Sequence, residues 1–394
     1  MSDPIIIETK ELGHNIADLA VLPDGRVLVA DALNHRINVL SADLQQVSTV
    51  AGDSGRGHRD GAAAQAPFKQ PRGLAVLPDD RVLVADLGNH RIRVLSADLQ
   101  QVSTVAGGGG QWYRDGAAAQ ARFRGPRGLA VLPDGRVLVS DYYDDRIRVL
   151  SADLQQVSTV AGDGEEGHRD GAAAQARFDM PRGLAVLPDD RVLVGDVLNH
   201  RIRVLSADLQ QVSTVAGDGE EEHRDGAAAQ ARFNGPTGLA VLPDGRVLVA
   251  DSNCIRVLSA DLQDVSTLVI RGVHSPSALA VRPSGSVLVA DGHRIHTVVT
   301  MGPKPAAKPP KQNKRALADS SSGSSGPLGP SGPALKRGRS EATMPSSSSS
   351  SDDSEEEGGS TAAAAAEATF AVEEEGGSTA AKPLLLYPFR RLRF

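Results

Sequence analysis

The sequence predicts an all-β fold, a six-bladed β-propeller of four-stranded antiparallel blades, and three observations predict it. One pattern recurs six times in 394 residues, with the prolines of a Leu-Pro-Asp-type turn at Pro23, Pro78, Pro133, Pro188, Pro243 and Pro283. The first four steps are 55 residues and the last is 40, so the period is that of a repeat array. A full copy also holds four short apolar runs, and their polarity rises from the first run to the fourth.

In the second copy, Leu74–Leu77 ends at Pro78-Asp-Asp and Arg81–Ala85 ends at Asp86-Leu-Gly-Asn89. Ile92–Leu95 ends at Ser96-Ala-Asp98, and Val102–Val105 ends in glycine. Runs this short, rich in Val, Ile and Leu and bounded by Gly, Pro and Asp, are strands. Four make a meander, the unit of a propeller blade. The first two runs are almost wholly apolar, as strands covered on both faces are. The third alternates with Arg91 and Arg93, and the fourth carries Ser103 and Thr104. The first run therefore lines the axis and the fourth is the outer edge.

The ends of the array complement each other. The sixth copy has three runs, Ala278–Val281, Val287–Ala290 and Ile295–Val299, and Ile5-Ile-Ile7 precedes the first copy without a blade of its own. An N-terminal strand that completes the sixth blade closes the ring and removes an open seam. The propeller is expected over residues 4–300.

The turns resemble a known repeat. Asp31-x-x-Asn34-His35-Arg36-Ile37, Asp86-x-x-Asn89-His90-Arg91-Ile92 and Asp196-x-x-Asn199-His200-Arg201-Ile202 are similar to the NHL repeat. The third copy departs with Asp144-Asp145, the fifth is shortened to Asp251-Ser-Asn-Cys254-Ile255, and the sixth reads Asp291-Gly-His293-Arg294-Ile295. The resemblance implies the six-bladed fold. For function it implies a range, because that family contains RNA binders, ubiquitin-ligase subunits, lyases and scaffolds.

Strand direction sorts the loops. The first and third turns of each meander share one face, which is repetitive and acidic. The second turns share the other face with the links between blades. Four links are long insertions, at 53–70, 108–125, 163–180 and 218–235. Asp60, Asp115, Asp170 and Asp225 are suited to cap a short helix in each. Phe68, Phe123, Phe178 and Phe233 are suited to anchor it to the blades.

On that second face the sequence gathers its aromatic residues. Trp112 and Tyr113 lie in the insertion before blade three, and Tyr142 and Tyr143 in its second turn. Where the inner strands of other blades start with Ala17, Thr237 and Ser277, blades two to four have Arg72, Arg127 and Arg182, and Lys69 and Arg124 add to the arc. Flat rings beside guanidinium groups are what gripping a peptide or stacking a base requires. These nine residues form the expected partner-binding site. The partner is expected to be a protein or peptide, with single-stranded RNA as the alternative and a lyase or lactonase third.

Catalysis is disfavoured by the repeat itself. The inner strands read Leu-Ala-Val-Leu in five copies and Leu-Ala-Val-Arg282 in the sixth, with only His14 and Asp18 at the rim. Two groups do not make a metal cage, so no enzyme, metal or cofactor is expected. His35, His90 and His200 occupy equivalent turns of separate blades and are expected to be structural. Asp163-Gly-Glu-Glu166 and Asp218-Gly-Glu-Glu-Glu222 lack the alternating spacing of a calcium loop. Cys254 is the one cysteine, expected to be a buried, inert thiol.

From residue 301 onward the composition changes to Pro, Ser, Gly, Ala and Glu, a disordered low-complexity tail by its lack of large apolar residues. It carries 12 basic and 11 acidic residues, which leaves 30 against 38 in the rest of the chain. That balance argues against unspecific duplex binding. Lys336, Arg337 and Arg339, with Lys311, Lys314 and Arg315 upstream, resemble a nuclear import signal, and Ser354 before Glu357 resembles an acidophilic kinase substrate. The final Leu384–Phe394 is apolar and cationic, with Pro388 interrupting any helix. No signal peptide or membrane span is read, so the chain is expected to be a monomer in the cytoplasm or nucleus.

Overall fold

The structure, a computed structural model, describes residues 5–13, 15–52, 55–108, 110 and 112–299. His14 and everything expected of residues 300–394, including the import signal and Ser354, lie outside the described residues.

Six antiparallel sheets form, one per sequence copy. In blade one, Ile16–Val21 pairs with Val27–Asp31, which pairs with Arg36–Leu40, which pairs with Val47–Ala51. Each inner strand packs against the inner strands of both neighbouring blades, with the sixth, Pro276–Val281, against the first. The ring is closed. Blade six takes Ile5–Glu11 as its outer strand, antiparallel to Arg294–Val299, as the unpaired ends of the sequence require.

Blades two to five carry one strand more than expected. Gly61–Ala62, Gly116–Ala117, Gly171–Ala172 and Gly226–Ala227, all within insertions, each add a two-residue edge to the outer strand of the following blade. The insertions are therefore part of the sheets rather than loose loops.

The turns follow from residue chemistry. The turn after each inner strand needs a left-handed φ, which Gly25, Gly135 and Gly245 supply at 84–86°. Asp80 and Asp190 take the same position at 66° and 65°, aspartate being one of the few side chains that tolerate it. His35, His90 and His200 are left-handed as well, at 59°, 56° and 52°, and Asp145 matches them at 52°. His35 Nδ1 accepts the Gln70 amide at 3.1 Å, and Asp145 Oδ1 accepts that of Met180 at 2.9 Å. His35 and Asp145 thus do the same job, joining a turn to the end of the next insertion.

The hydrophobic core lies between blades. Leu28, Ala30 and Ile37 of blade one pack with Leu74, Val82 and Leu95 of blade two, and the same contact repeats around the ring. Ile16 and Leu40 meet Leu288 and Ile295 across the closure. Phe68, Phe123, Phe178 and Phe233 are fully buried wedges in four of these seams, so they anchor the insertions as expected.

The four insertion aspartates do not cap helices. The three-residue 3-10 turns Ala63–Gln65, Ala173–Gln175 and Ala228–Gln230 have alanine at the N-cap and no side-chain cap, and residues 118–120 form only a turn. Asp60, Asp115, Asp170 and Asp225 instead pair with Arg93, Arg148, Arg203 and Arg256 at 2.5–3.0 Å. A carboxylate two or three residues before so short a turn gains more from a buried guanidinium than from one amide. Each arginine is 0 % exposed. It also bonds two carbonyls of the insertion, as Arg203 does to Arg177 and Arg169 at 2.8 Å each, and lies 5.1–5.2 Å over the wedge phenylalanine.

Among the described residues no helix is long and apolar enough to cross a membrane.

Candidate functional site

The inner strands start with a distortion. In blade two, Pro71 opposes Asp86 and Leu74 opposes Val84, so Arg72 and Gly73 together face one residue, a β-bulge. The same bulge holds Arg127-Gly128 in blade three, Arg182-Gly183 in blade four and Thr237-Gly238 in blade five. A bulge re-aims a side chain, and here it turns the residue before glycine toward the axis. Glycine follows because a Cβ on Gly73 would collide with the Arg127 carbonyl, one on Gly128 with that of Arg182, and one on Gly183 with that of Thr237. Backbone from adjacent blades is thereby stacked at one level around the ring.

The result is a chamber of about 160 Å³ at the axis, lined by Arg72, Arg127, Arg182, Asp18, Thr237 and Ser277 over a floor of leucines. The two hydroxyl groups are spent on backbone: Thr237 donates to the Ala250 carbonyl at 3.1 Å and Ser277 to that of Ile16 at 2.9 Å. The arginines are not so spent. Arg182 reaches the Ser277 carbonyl at 3.4 Å, while Nε of Arg72 and of Arg127 are buried without a hydrogen-bond partner.

Burial and mutual repulsion set the electrostatics. Arg72 is pushed down to about 10, first by burial and then by Arg127. Burial, then Arg127 and Arg72, hold Arg182 well below its ordinary value. The opposing carboxylate is Asp18, which accepts the Leu74 amide at 2.8 Å and is pushed up to about 6 by burial, with Arg182 pulling the other way. Three guanidinium groups thus face one carboxylate that is partly protonated near neutrality. Positive charge therefore predominates in the chamber.

The aromatic residues divide between two places. Tyr142 is buried, lies 4.4 Å beneath the Arg127 guanidinium and packs edge-on to Tyr143 at 4.9 Å between centroids, so the tyrosine pair backs Arg127 without itself lining the chamber. Trp112 is 70 % exposed with Arg124 at 5.8 Å, and Tyr113 lies 3.7 Å from Arg146. Tyr142 N donates to the Gly125 carbonyl at 3.0 Å, which joins the blade-three turn to the insertion that carries the outer pair. Lys69 is exposed, and its backbone amide holds Asp86 at 2.8 Å. The sequence had pointed to all nine of these residues. It gave no hint that Asp18, set aside there as an isolated rim carboxylate, stands among the arginines.

The acidic loops are already occupied. Asp163 pairs with Arg169 and Arg177 at 2.5 and 2.9 Å, and Asp218 with Arg224 and Arg232 at 2.8 Å each. Cys254 is half-buried rather than buried, and its thiol is pushed up to about 12, first by burial and then by Asp251.

Residues 68–95, 123–150, 178–205 and 233–257 match the family described as NHL repeat. The chain is 28 % identical over 266 residues to Protein SUPPRESSOR OF QUENCHING 1, chloroplastic, of Arabidopsis thaliana, covering 62 % of this chain and 25 % of that one. It is 28 % identical over 297 residues to NHL repeat-containing protein 2 of Gallus gallus, covering 66 % and 41 %. The chain thus spans between a quarter and about two-fifths of the length of these relatives. Among solved structures, a putative gluconolactonase superposes with a TM-score of 0.53 at 15 % identity over 76 % of this chain and 92 % of that one, a likeness of fold.

Proposed function

Because the chain belongs to the NHL repeat family, we propose that it is a non-catalytic binding platform whose insertion-bearing face grips a protein or peptide through an acidic group seated in the axial chamber. One observation carries the reading: three arginines, set on bulges at the same level of three adjacent blades, converge on a space opposed by a single carboxylate, and two of them, Arg72 and Arg127, keep a buried Nε without a hydrogen-bond partner. The volume supports it, since a water occupies about 30 Å³ of liquid. A carboxylate fits with a few waters, whereas a folded element does not. Tyr142 and Tyr143 flank the seat, and Trp112 with Tyr113 offers flat surface farther out for the residues on either side.

The lining also supports the absence of catalysis. Asp18 is the only carboxylate and there is no histidine among the described residues of the chamber, so an axial metal has no ligand cage. The exposed Trp112 ring beside Arg124 favours single-stranded RNA as the second reading, with phosphate in the chamber and a base on the indole. The tail is proposed to supply localisation through Lys336, Arg337 and Arg339, tuned by phosphorylation at Ser354.

Fluorescence anisotropy with a labelled glutamate-rich peptide, its glutamine counterpart and an oligo-uridine tests the choice. The acidic peptide is expected to bind, to weaken with salt, and to weaken at least about tenfold in Arg127→Met/Arg182→Met, about the effect of losing one charge-assisted contact. Preference for the oligonucleotide overturns the peptide reading. Binding unchanged in the double variant overturns the chamber.

A further inference from the structure

Blade five departs from its sisters away from the chamber. Its second turn is two residues shorter, Asp251-Ser-Asn-Cys254-Ile255 against Asp196-Val-Leu-Asn-His-Arg201-Ile202. Cys254 therefore begins the third strand, paired with Asp251 in the ladder, where blades two to four have Arg91, Arg146 and Arg201 paired with Asp86, Asp141 and Asp196.

That exchange empties the space beneath the insertion. In blade three the arginine fills it, Arg146 lying 3.7 Å from the ring of Tyr113, which stands where His223 does, and in blade four Arg201 is near enough to His168 to act on it. A thiol does not reach so far, and the insertion histidine turns inward instead. His168, at the equivalent place before blade four, meets the hydroxyl of Thr214 on the outer strand at 2.8 Å and lies 3.9 Å from Asp170. His223 before blade five points to Asp251, with Nε2 3.3 Å from Oδ2. That nitrogen is buried and makes no hydrogen bond, the approach to Asp251 being close but misdirected. The ligating atoms of His223, Asp251 and Cys254 all lie within 4.8 Å of one another.

We propose that His223, Asp251 and Cys254 bind a divalent ion of the zinc class, tying the 218–235 insertion to the blade-five turn. One imidazole nitrogen, one carboxylate oxygen and one sulfur suit zinc, whereas calcium and magnesium require more oxygen ligands than the site offers. A tetrahedral ion with bonds of about 2.0–2.3 Å sets its ligand atoms roughly 3.3–3.8 Å apart. The His223–Asp251 separation already has that value, and the Cys254 sulfur, within 4.8 Å of both, has about one ångström or less to move. On binding, the Cys254 S–H bond breaks, its proton leaves to solvent and a metal–thiolate bond forms. The ion supplies the positive charge that this thiol lacks at present. Two carboxylates, Asp251 and Asp225, act on the thiol, and the one neighbouring cation, Arg256, is shared between them, at 3.0 Å from Asp225 and 3.4 Å from Asp251 Oδ2. Three protein ligands leave a fourth position for water or for a donor from outside.

Cobalt(II) gives a readout of both geometry and sulfur. Full-length protein stripped with EDTA and titrated with cobalt chloride is expected to take up one equivalent, with the intense visible bands of a tetrahedral ion and a near-ultraviolet sulfur-to-cobalt charge-transfer band, both bleached by zinc chloride. Cys254→Ser is expected to lose the charge-transfer band, and His223→Gln to weaken binding at least about a hundredfold, the upper range for the outer shell of a metal site. His223 is partly exposed, so its variant keeps the fold, as circular dichroism in EDTA will confirm. A wild-type titration without the charge-transfer band overturns the proposal, as does a band that persists undiminished in His223→Gln. Cobalt bound only as a pale octahedral species, the signature of the tail carboxylates, overturns it as well.

Discussion

Replacing Arg203 by methionine tests the buried clamp that fixes the insertions. The guanidinium is 0 % exposed and pairs with Asp196 at 2.8 Å and Asp170 at 2.6 Å. It donates to two insertion carbonyls at 2.8 Å and lies 5.1 Å from the centre of the Phe178 ring. Methionine fills the space of the stem but leaves Asp196, itself fully buried, without its cation. Breaking a buried pair from one side costs about 3–5 kcal/mol, and most of the carbonyl loss is contained in that figure because the insertion is free to find water. At roughly 2 °C per kcal/mol for a unit of this size, the melting temperature should fall by about 6–10 °C. The cost should also depend on pH. Asp196 is already pushed up to about 6 by burial, with Arg203 opposing the shift, so its removal raises the carboxyl further. A carboxyl whose folded pKa lies above its unfolded value carries its full penalty at high pH and sheds it as pH falls through the folded pKa. The deficit of Arg203→Met should therefore shrink between pH 8 and 5.5, and Asp196→Asn/Arg203→Met should melt higher than Arg203→Met at pH 8. Differential scanning fluorimetry across that range decides. A loss no larger than that of Arg191→Met, where the side chain is 42 % exposed in a turn, or a deficit flat in pH, refutes the argument.

Deleting residues 1–10 removes most of the outer strand of blade six and exposes the ladder edge of Arg294–Val299; a lower melting temperature is expected, and an unchanged one disproves closure through this strand. Phe178→Ala leaves a ring-sized void in the seam between blades three and four and should cost about 3–5 kcal/mol in urea unfolding; a loss below about 1 kcal/mol would mean that the insertion is not wedged. Asp18→Asn removes the one negative charge facing the arginines. Two unit charges roughly 8 Å apart at an effective dielectric constant of 20 interact by about 2 kcal/mol, and screening at the open mouth reduces this to about 1 kcal/mol, so the acidic peptide should bind about fivefold tighter at pH 7.5. The wild type should approach that affinity at pH 5.5, where Asp18, pushed up to about 6, is mostly protonated, and the variant should not change. Weaker binding by Asp18→Asn would show that the carboxylate contributes to the seat rather than opposing it.

What the sequence disclosed about the fold came from the repeat. Four strands per copy, their order from the axis outward and the borrowed first strand can all be counted from the spacing of valines and turn residues. What it disguised was the environment of the arginines. Arg93 alternates with apolar neighbours on an outer strand, a position that reads as solvent-facing, and only the covering insertion makes it interior. A signal was nevertheless present. The third-strand position is Arg93, Arg148, Arg203 and Arg256 in the four blades preceded by an insertion, and Asn38 and His296 in the two that are not. Arginine appears wherever there is an insertion to hold. Asp60 and its counterparts were misread for the same reason, since a helix cap is a local device and their partner lies about 33 residues farther along the chain.

The candidate sites show the same logic from the other side. A strand that packs between two like neighbours has little freedom, and Leu-Ala-Val accordingly recurs in every inner strand. The residue on the bulge faces the axis and finds different contacts in each blade, from the Tyr142 ring under Arg127 to the carbonyls held by Thr237 and Ser277, so the fold accepts Ala17, Arg72, Arg127, Arg182, Thr237 or Ser277 there. Arginine at such a place is a cost to the ring, three like charges half-buried within reach of one another. That cost lies with the unliganded chamber and is relieved when an anion enters. A structural origin for the arginines predicts that Arg127→Met/Arg182→Met lowers the melting temperature. A binding origin predicts that the same variant melts higher than wild type while losing the acidic peptide, because the repulsion is gone along with the seat. The two accounts differ in the sign of one measurement, and a lower melting temperature with binding retained would rule out the chamber as the site.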